Sequence, residues 1–231
     1  MCEKIDIKGS SFNYYPIDLK NDGSEPRLDI RVAIENLKIF KMTADAVELP
    51  IMLMYGTLLG AIREGQFLKH DSDTDLVVEE TDEDKLLKII PDLEIKGLLL
   101  VRYEKVIVFG AGIIMYSFMR NGMWIDVYLL QRRRSCIICG IAYPSVFFED
   151  LQNVSFYGEI YHIPNNVEDF LVLGYGADWR IPKENFHISL VKYLLRLRIY
   201  LGVRHIISIL LRKILPRRFF SKLKKIVCKY G

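Results

Sequence analysis

Cysteine is scarce in this chain, with four in 231 residues. That is too few for a disulfide framework at this length. Cys136 and Cys139 have metal-type spacing, but no second Cys or His pair stands at zinc spacing. Their surroundings read as a strand, which sends the two sulfurs to opposite faces, so buried thiols are expected. No uncharged apolar run approaches the roughly 20 residues that a membrane-spanning helix needs. The opening Met1-Cys2-Glu3-Lys4-Ile5-Asp6 is polar and charged, and no signal peptide is expected from it. Internal repeats and low-complexity stretches are absent as well. Acid is missing from the last part: positions 185–231 hold twelve Lys or Arg and no Asp or Glu. Positions 1–184 therefore keep 20 basic against 29 acidic residues. An acidic body joined to a cationic tail suggests a polyanionic partner for the tail.

The tail is also apolar at helical spacing. Val203, Ile206, Ile207, Leu210, Leu211 and Ile214 recur at three- and four-residue steps until Pro216. Phe219, Phe220, Leu223, Ile226 and Val227 form a second stripe among Arg217, Arg218, Lys222, Lys224, Lys225 and Lys229. Residues 188–201 are expected to pack on the body, whereas 215–229 have the composition of an interfacial helix. Contact with a membrane surface is expected through residues 203–229. Nucleic acid is not the expected partner, because the stripe is more apolar than phosphate binding requires.

What the chain does have is an acid motif. Asp71, Asp73 and Asp75 alternate, and Leu76, Val77 and Val78 follow. In a strand, residues two apart share a face, so Asp73 and Asp75 project together. Two carboxylates side by side repel each other, and a hard cation such as Mg2+ relieves that repulsion. The pattern also fits a solvated loop. It does not fit a calcium loop, which wants glycine soon after the third acid. Upstream, the apolar run Ile51-Met52-Leu53-Met54 reads as a buried strand, Tyr55-Gly56 as a turn and Thr57 to Arg63 as a short helix. A helix N-terminus after a glycine turn offers backbone N–H groups to a phosphate. The combination points to metal-dependent phosphoryl or nucleotidyl transfer.

Four blocks in order carry a resemblance. They are Tyr55-Gly56-Thr57-Leu58-Leu59-Gly60-Ala61-Ile62-Arg63 with Gly65 and Phe67; Asp71-Ser72-Asp73-Thr74-Asp75-Leu76; Trp124-Ile125-Asp126-Val127; and Ile163-Pro164 followed by Tyr175-Gly176-Ala177-Asp178-Trp179-Arg180-Ile181-Pro182. Together they resemble the LicD family, which includes bacterial phosphocholine transferases and the animal fukutin-related proteins. The resemblance implies an α+β, nucleotidyltransferase-like mixed sheet flanked by helices. It implies that Asp73, Asp75 and Asp126 are catalytic and hold Mg2+ (or Mn2+). It also implies a CDP-activated alcohol as donor and a hydroxyl of a cell-surface glycan or its lipid-linked precursor as acceptor. Gly56, Thr57, Arg63, His70, Asp71 and Trp179 are the candidate substrate-binding residues. Ser72 and His70 depart from the family's usual Asp and Trp, which leaves the substrate more open than the chemistry.

Three parts are expected: an N-terminal segment over 1–28 that packs loosely, a catalytic domain over 29–184, and a basic amphipathic helical tail over 185–231. Within the domain, Asp29 to Glu48 reads as a helix and Thr81 as the cap of a helix ending at Ile90. Residues 98–109 and 113–120 read as a hairpin, 123–130 as the strand bearing Asp126, and 131–170 as loop-rich with short strands. The expected location is cytoplasmic, on the inner face of a membrane. Two alternatives remain open: transfer of a nucleotide itself to a small molecule, RNA or protein, and a non-catalytic scaffold that binds membrane.

Overall fold

Asp29 ends an extended stretch, and its carboxylate accepts from the backbone N–H of Arg31 (3.0 Å) and Val32 (3.2 Å). That cap starts helix α1, Ile30–Asp45. Its buried residues, Ala33, Asn36, Leu37, Phe40, Thr43 and Ala44, recur at three- and four-residue steps and make one core-facing stripe. The computed structural model describes residues 2–17, 28–108, 111–133, 136–139 and 141–182. The tail expected to meet a membrane lies outside the described residues. Among those described, no helix is long and apolar enough to cross a membrane.

After α1 come strand β3 (Met52–Leu53), helix α2 (Tyr55–Arg63), strand β4 (Asp73–Glu79) and helix α3 (Glu83–Ile95). Three long strands follow: β5 (Leu99–Val108), β6 (Ala111–Arg120) and β7 (Met123–Arg133). Short strands β8 (Cys136–Cys139), β9 (Ile141–Pro144), β10 (Gln152–Phe156) and β11 (Glu159–Ile163) precede helix α4 (Val167–Tyr175). The sheet runs β10-β11-β3-β4-β7-β6-β5, with β8 and β9 continuing from β7. β4 and β7 pair parallel, as do β11 and β3, and the other pairs are antiparallel. The fold is thus the expected α+β mixed sheet flanked by helices.

Helices α1 and α3 cover one face of the sheet. Phe40 of α1 meets Phe118 of β6 edge-on at 5.8 Å, and the Tyr116 hydroxyl of β6 donates to Glu83 of α3 at 2.6 Å. Thr74, Leu76, Ile125, Val127, Tyr116 and Phe118 point into this dry layer and are all buried. The residues between them on the same strands face the other way.

Four expectations need correction. Over residues 2–17 the N-terminal segment is not loose: β1 (Glu3–Ile7) and β2 (Ser10–Tyr14) form a hairpin with Ile7 and Phe12 buried. Tyr15 N–H donates to Leu100 O at 2.9 Å, and the Tyr15 hydroxyl donates to Glu94 at 2.6 Å. A polar sequence docks here through its few buried apolar side chains and its hydrogen bonds to β5 and α3. Thr81 does not cap α3; it lies in a 3-10 turn, Glu80–Asp82. The helix also continues through Pro91, because Leu93 buries its side chain completely beyond the proline. Finally, α4 begins inside the stretch over 131–170 that was expected to hold only loops and short strands, with Glu168 and Asp169 in its first turn, where the helix dipole favours acids. Phe170 anchors it against Tyr143, Phe147 and Phe148.

Candidate active site

The acids lie on the sheet face opposite α1 and α3. Asp73 and Asp75 are two apart on β4, and Asp75 stands in register with Asp126 on the parallel neighbour β7. Residues in register on adjacent strands point the same way, so the three carboxylates share one face. Asp75 is 6 % exposed, Asp126 is 7 % exposed, and Asp73 is half-buried.

Burial pushes the Asp75 carboxyl well above the usual carboxylate range. The charges of Asp73, Asp71 and Asp126 push it further, and the Gly56 amide pulls back. Asp126 is raised by burial too. Ser117 and Arg102 draw it down and Glu104 opposes them. Ser117 faces Asp126 across the β6–β7 ladder but falls outside hydrogen-bond geometry, so Asp126 Oδ1 and Ser117 Oγ are buried without a hydrogen-bond partner.

The N-terminus of α2 braces this cluster. Tyr55 adopts a left-handed φ of 47°, which turns the chain directly from β3 into the helix. The helix therefore starts at Tyr55 rather than Thr57, and the strand ends early. Gly56 N–H donates to Asp75 Oδ2 at 3.3 Å, and the Thr57 hydroxyl accepts from Asp75 N–H at 2.9 Å. Thr57 is fully buried, so its contact is with the strand. Gly56 is required by close approach: a Cβ there would stand 2.2 Å from Asp71 Oδ2. The half-buried Asp71 thus leans on the α2 N-terminus, and its carbonyl accepts from Leu28 N–H at 2.9 Å.

The other sequence-derived candidates lie as follows. Arg63 pairs with Glu64 (2.7 Å) and donates through Nη1 to Trp179 O at 3.2 Å, tying α2 to the turn after α4. Trp179 is 4 % exposed and lies under the Arg180 guanidinium, 4.4 Å from its ring. Its position is that of a packing residue. Gly176, with φ of 99°, closes α4 ahead of it, whereas Gly174 lies within the helix. His70 and Lys69 are exposed at the entry to β4. Cys139 is buried on β8, and its carbonyl accepts from the Tyr55 hydroxyl.

Several residues of this face went unread in the sequence. Tyr128, two after Asp126, meets Tyr55 edge-on at 5.2 Å; alternation along β7 would have revealed it. Tyr175, already part of the last block read in the sequence, stands at the end of α4 and feels Asp75, Asp71, Arg63 and Asp73 after its own burial. Arg102, Glu104 and Ser117 complete the face, and no local motif marks them.

An all-carboxylate donor set on one face, with Asp75 raised by burial and its neighbours' charge, Asp126 raised by burial, and a buried Oδ1 lacking a partner, suits a hard divalent cation. Asp73, Asp75 and Asp126 fit that role in kind. Among the described residues, no three Asp, Glu, His or Cys side chains stand close enough to hold a metal ion as they are placed.

Two solved structures are similar over most of the chain. A solution structure of the antibiotic-resistance factor ANT(2'')-Ia matches with 15% identity and a TM-score of 0.46, covering 87% of this chain and 100% of the other. A crystal structure of ANT(2")-Ia with adenylyl-2"-tobramycin matches with 13% identity and a TM-score of 0.45, covering 77% of this chain and 94% of the other. Likeness at this level carries no inference about activity. No curated protein matches. The profile of the LicD/FKTN/FKRP nucleotidyltransferase domain matches residues 48–166, a span that takes in the glycine turn, β4 and β7. More than half of the chain is thus accounted for, and the protein belongs to the LicD family.

Proposed function

We propose that this LicD-type transferase moves a substituted phosphate group, of the phosphocholine kind, from a CDP-activated alcohol to a hydroxyl of a cell-surface glycan or its lipid-linked precursor. The observation that carries the reading is the register of Asp75 with Asp126, with Asp73 on the same face. Family membership supports transfer, and the acid row supports a phosphate-bearing donor.

Asp73, Asp75 and Asp126 would hold Mg2+ or Mn2+. When bound, such a cation neutralises charge on a transferring phosphoryl group and its leaving nucleotide. The chain's own groups then orient and deprotonate. The acceptor oxygen bonds to the distal phosphorus of the donor, the P–O bond to CMP breaks, and CMP leaves with the electron pair. The acceptor proton passes to a carboxylate, a role open to Asp126 as the alternative to holding the cation. Gly56 and Thr57 keep Asp75 in place. Peripheral attachment through residues 203–229 at the inner face of a membrane would bring the enzyme to a lipid-linked acceptor.

A thermal-shift panel of CDP-alcohols with Mg2+ tests the donor, since a ligand that binds only the folded state stabilises it. One CDP compound is expected to raise the melting temperature and, with acceptor, to release CMP. Incorporation of label from CTP or ATP into a product would favour nucleotide transfer instead, the activity that the family's domain type also accommodates. A wild type that responds to no nucleotide would favour the scaffold reading.

A further inference from the structure

The β5–β6 ladder breaks its alternation at one point. Leu100 pairs with Phe118, yet the next pair is Arg102 with Ser117, so Val101 is an extra residue. A bulge of this kind re-aims the side chains beyond it. In a regular ladder Arg102 would share the row of Tyr116 and face the α1–α3 layer. Instead it shares the row of Ser117, which pairs with Asp126, which pairs with Asp75. One row across four strands therefore reads Arg102, Ser117, Asp126, Asp75. Two strand spacings, about 10 Å, separate the backbones of Arg102 and Asp126, and an extended arginine reaches well into that gap.

Arg102 is held in place. Glu104, two residues on and on the same face, accepts from Nε at 2.8 Å and lies 2.7 Å from Nη2 through one oxygen. A guanidinium has five N–H donors, so this pairing leaves several for another partner. The side chain is 35 % exposed, which gives solutes access. Its charge reaches Asp126 and draws that carboxyl down. Arg63, by contrast, is 11 % exposed and committed to Glu64 and the Trp179 carbonyl. Between Arg102 and Asp75 lie Ser117 Oγ and Asp126 Oδ1, both buried without a hydrogen-bond partner.

We propose that Arg102, pinned by Glu104 and delivered to the acid face by the Val101 bulge, is a substrate-binding residue that takes phosphate oxygens of the nucleotide donor on the β6 side of Asp126. The assignment rests on the donor reading above. An arginine fork suits phosphate oxygens, and a cation here offsets the carboxylates that would otherwise repel an anionic donor.

The test is equilibrium dialysis of the full-length protein in Mg2+, with CDP and cytidine as probes. R102Q is expected to weaken CDP binding about tenfold or more, as for loss of a charge-assisted contact, while cytidine binding and melting temperature hold. R102K should fall between wild type and R102Q, because the charge remains and the fork does not. E104Q should weaken CDP less than R102Q does. If R102Q binds CDP as tightly as the wild type, or loses CDP and cytidine equally, the assignment is overturned while the donor reading stands. If R102Q does not fold, R102K decides: unchanged CDP affinity overturns the assignment. A wild type that does not bind CDP overturns the donor reading and this assignment with it.

Discussion

Asp75 on β4 and Asp126 on β7 are register partners on adjacent parallel strands, and both are buried. Two acids so placed raise each other's cost of ionisation, and Asp73 and Asp71 add to the charge on Asp75.

A pH dependence follows from that placement. Asp75 has a folded-state pKa raised above its ordinary value of 3.8. Its ionisation therefore opposes folding: the penalty is absent below the unfolded pKa and grows as pH rises towards the folded one. Without added metal, D75N should melt close to the wild type at low pH and above it at pH 7–8. Calorimetry at a series of pH values checks this. A gap of constant size, or one that narrows as pH rises, contradicts the assignment of the shift to Asp75.

Gly56 and Gly60 belong to one motif but resist substitution for different reasons. A Cβ at Gly56 meets a carboxylate oxygen of Asp71 at 2.2 Å, the end of a side chain that can swing away. A Cβ at Gly60 meets the Gln66 backbone carbonyl at 2.6 Å, which cannot. G60A should cost about 1–3 kcal/mol of stability, as overpacking does. G56A should cost less yet still displace Asp71 from the site, lowering activity at least tenfold. Urea unfolding of G56A, D71A and the double variant measures the coupling: D71A should remove most of the G56A cost.

Thr57 carries a hydrogen bond that no substrate needs. T57V keeps the shape and leaves the buried Asp75 N–H without its acceptor, which should cost about 1–3 kcal/mol. T57S should restore most of that. Denaturant midpoints compare the three, and equal stability of T57V and wild type would contradict the bracing role.

Much of the fold was legible because local signals agreed with tertiary ones. The helix read over Asp29 to Glu48 stands as α1 with Asp29 as its cap, and the alternation of Asp73 and Asp75 survives into β4. The family blocks brought Asp126 to the same face before any register was known. What sequence could not reveal depends on distant packing. Pro91 reads as a helix end until Leu93 is seen to be buried beyond it. Trp179 stands in the sequence as a candidate substrate-binding residue, and only the fold shows it buried with Arg180 over its ring. Arg102 carries no reading beyond its place in a strand, and one extra residue at Val101 sends it to the acid face. A bulge has no reliable local signature, so the arginine on the acid face stayed hidden while the acids did not.

The central claim is that Asp73, Asp75 and Asp126 act together on a divalent cation. Titration of Mn2+ into wild type, D75N and D126N in the presence of CDP, followed by electron paramagnetic resonance, tests it most directly. The account predicts saturable binding in the wild type and at least a tenfold loss in each variant, with all three proteins folded. Undiminished Mn2+ binding in D75N and D126N, or none in the wild type, would contradict it.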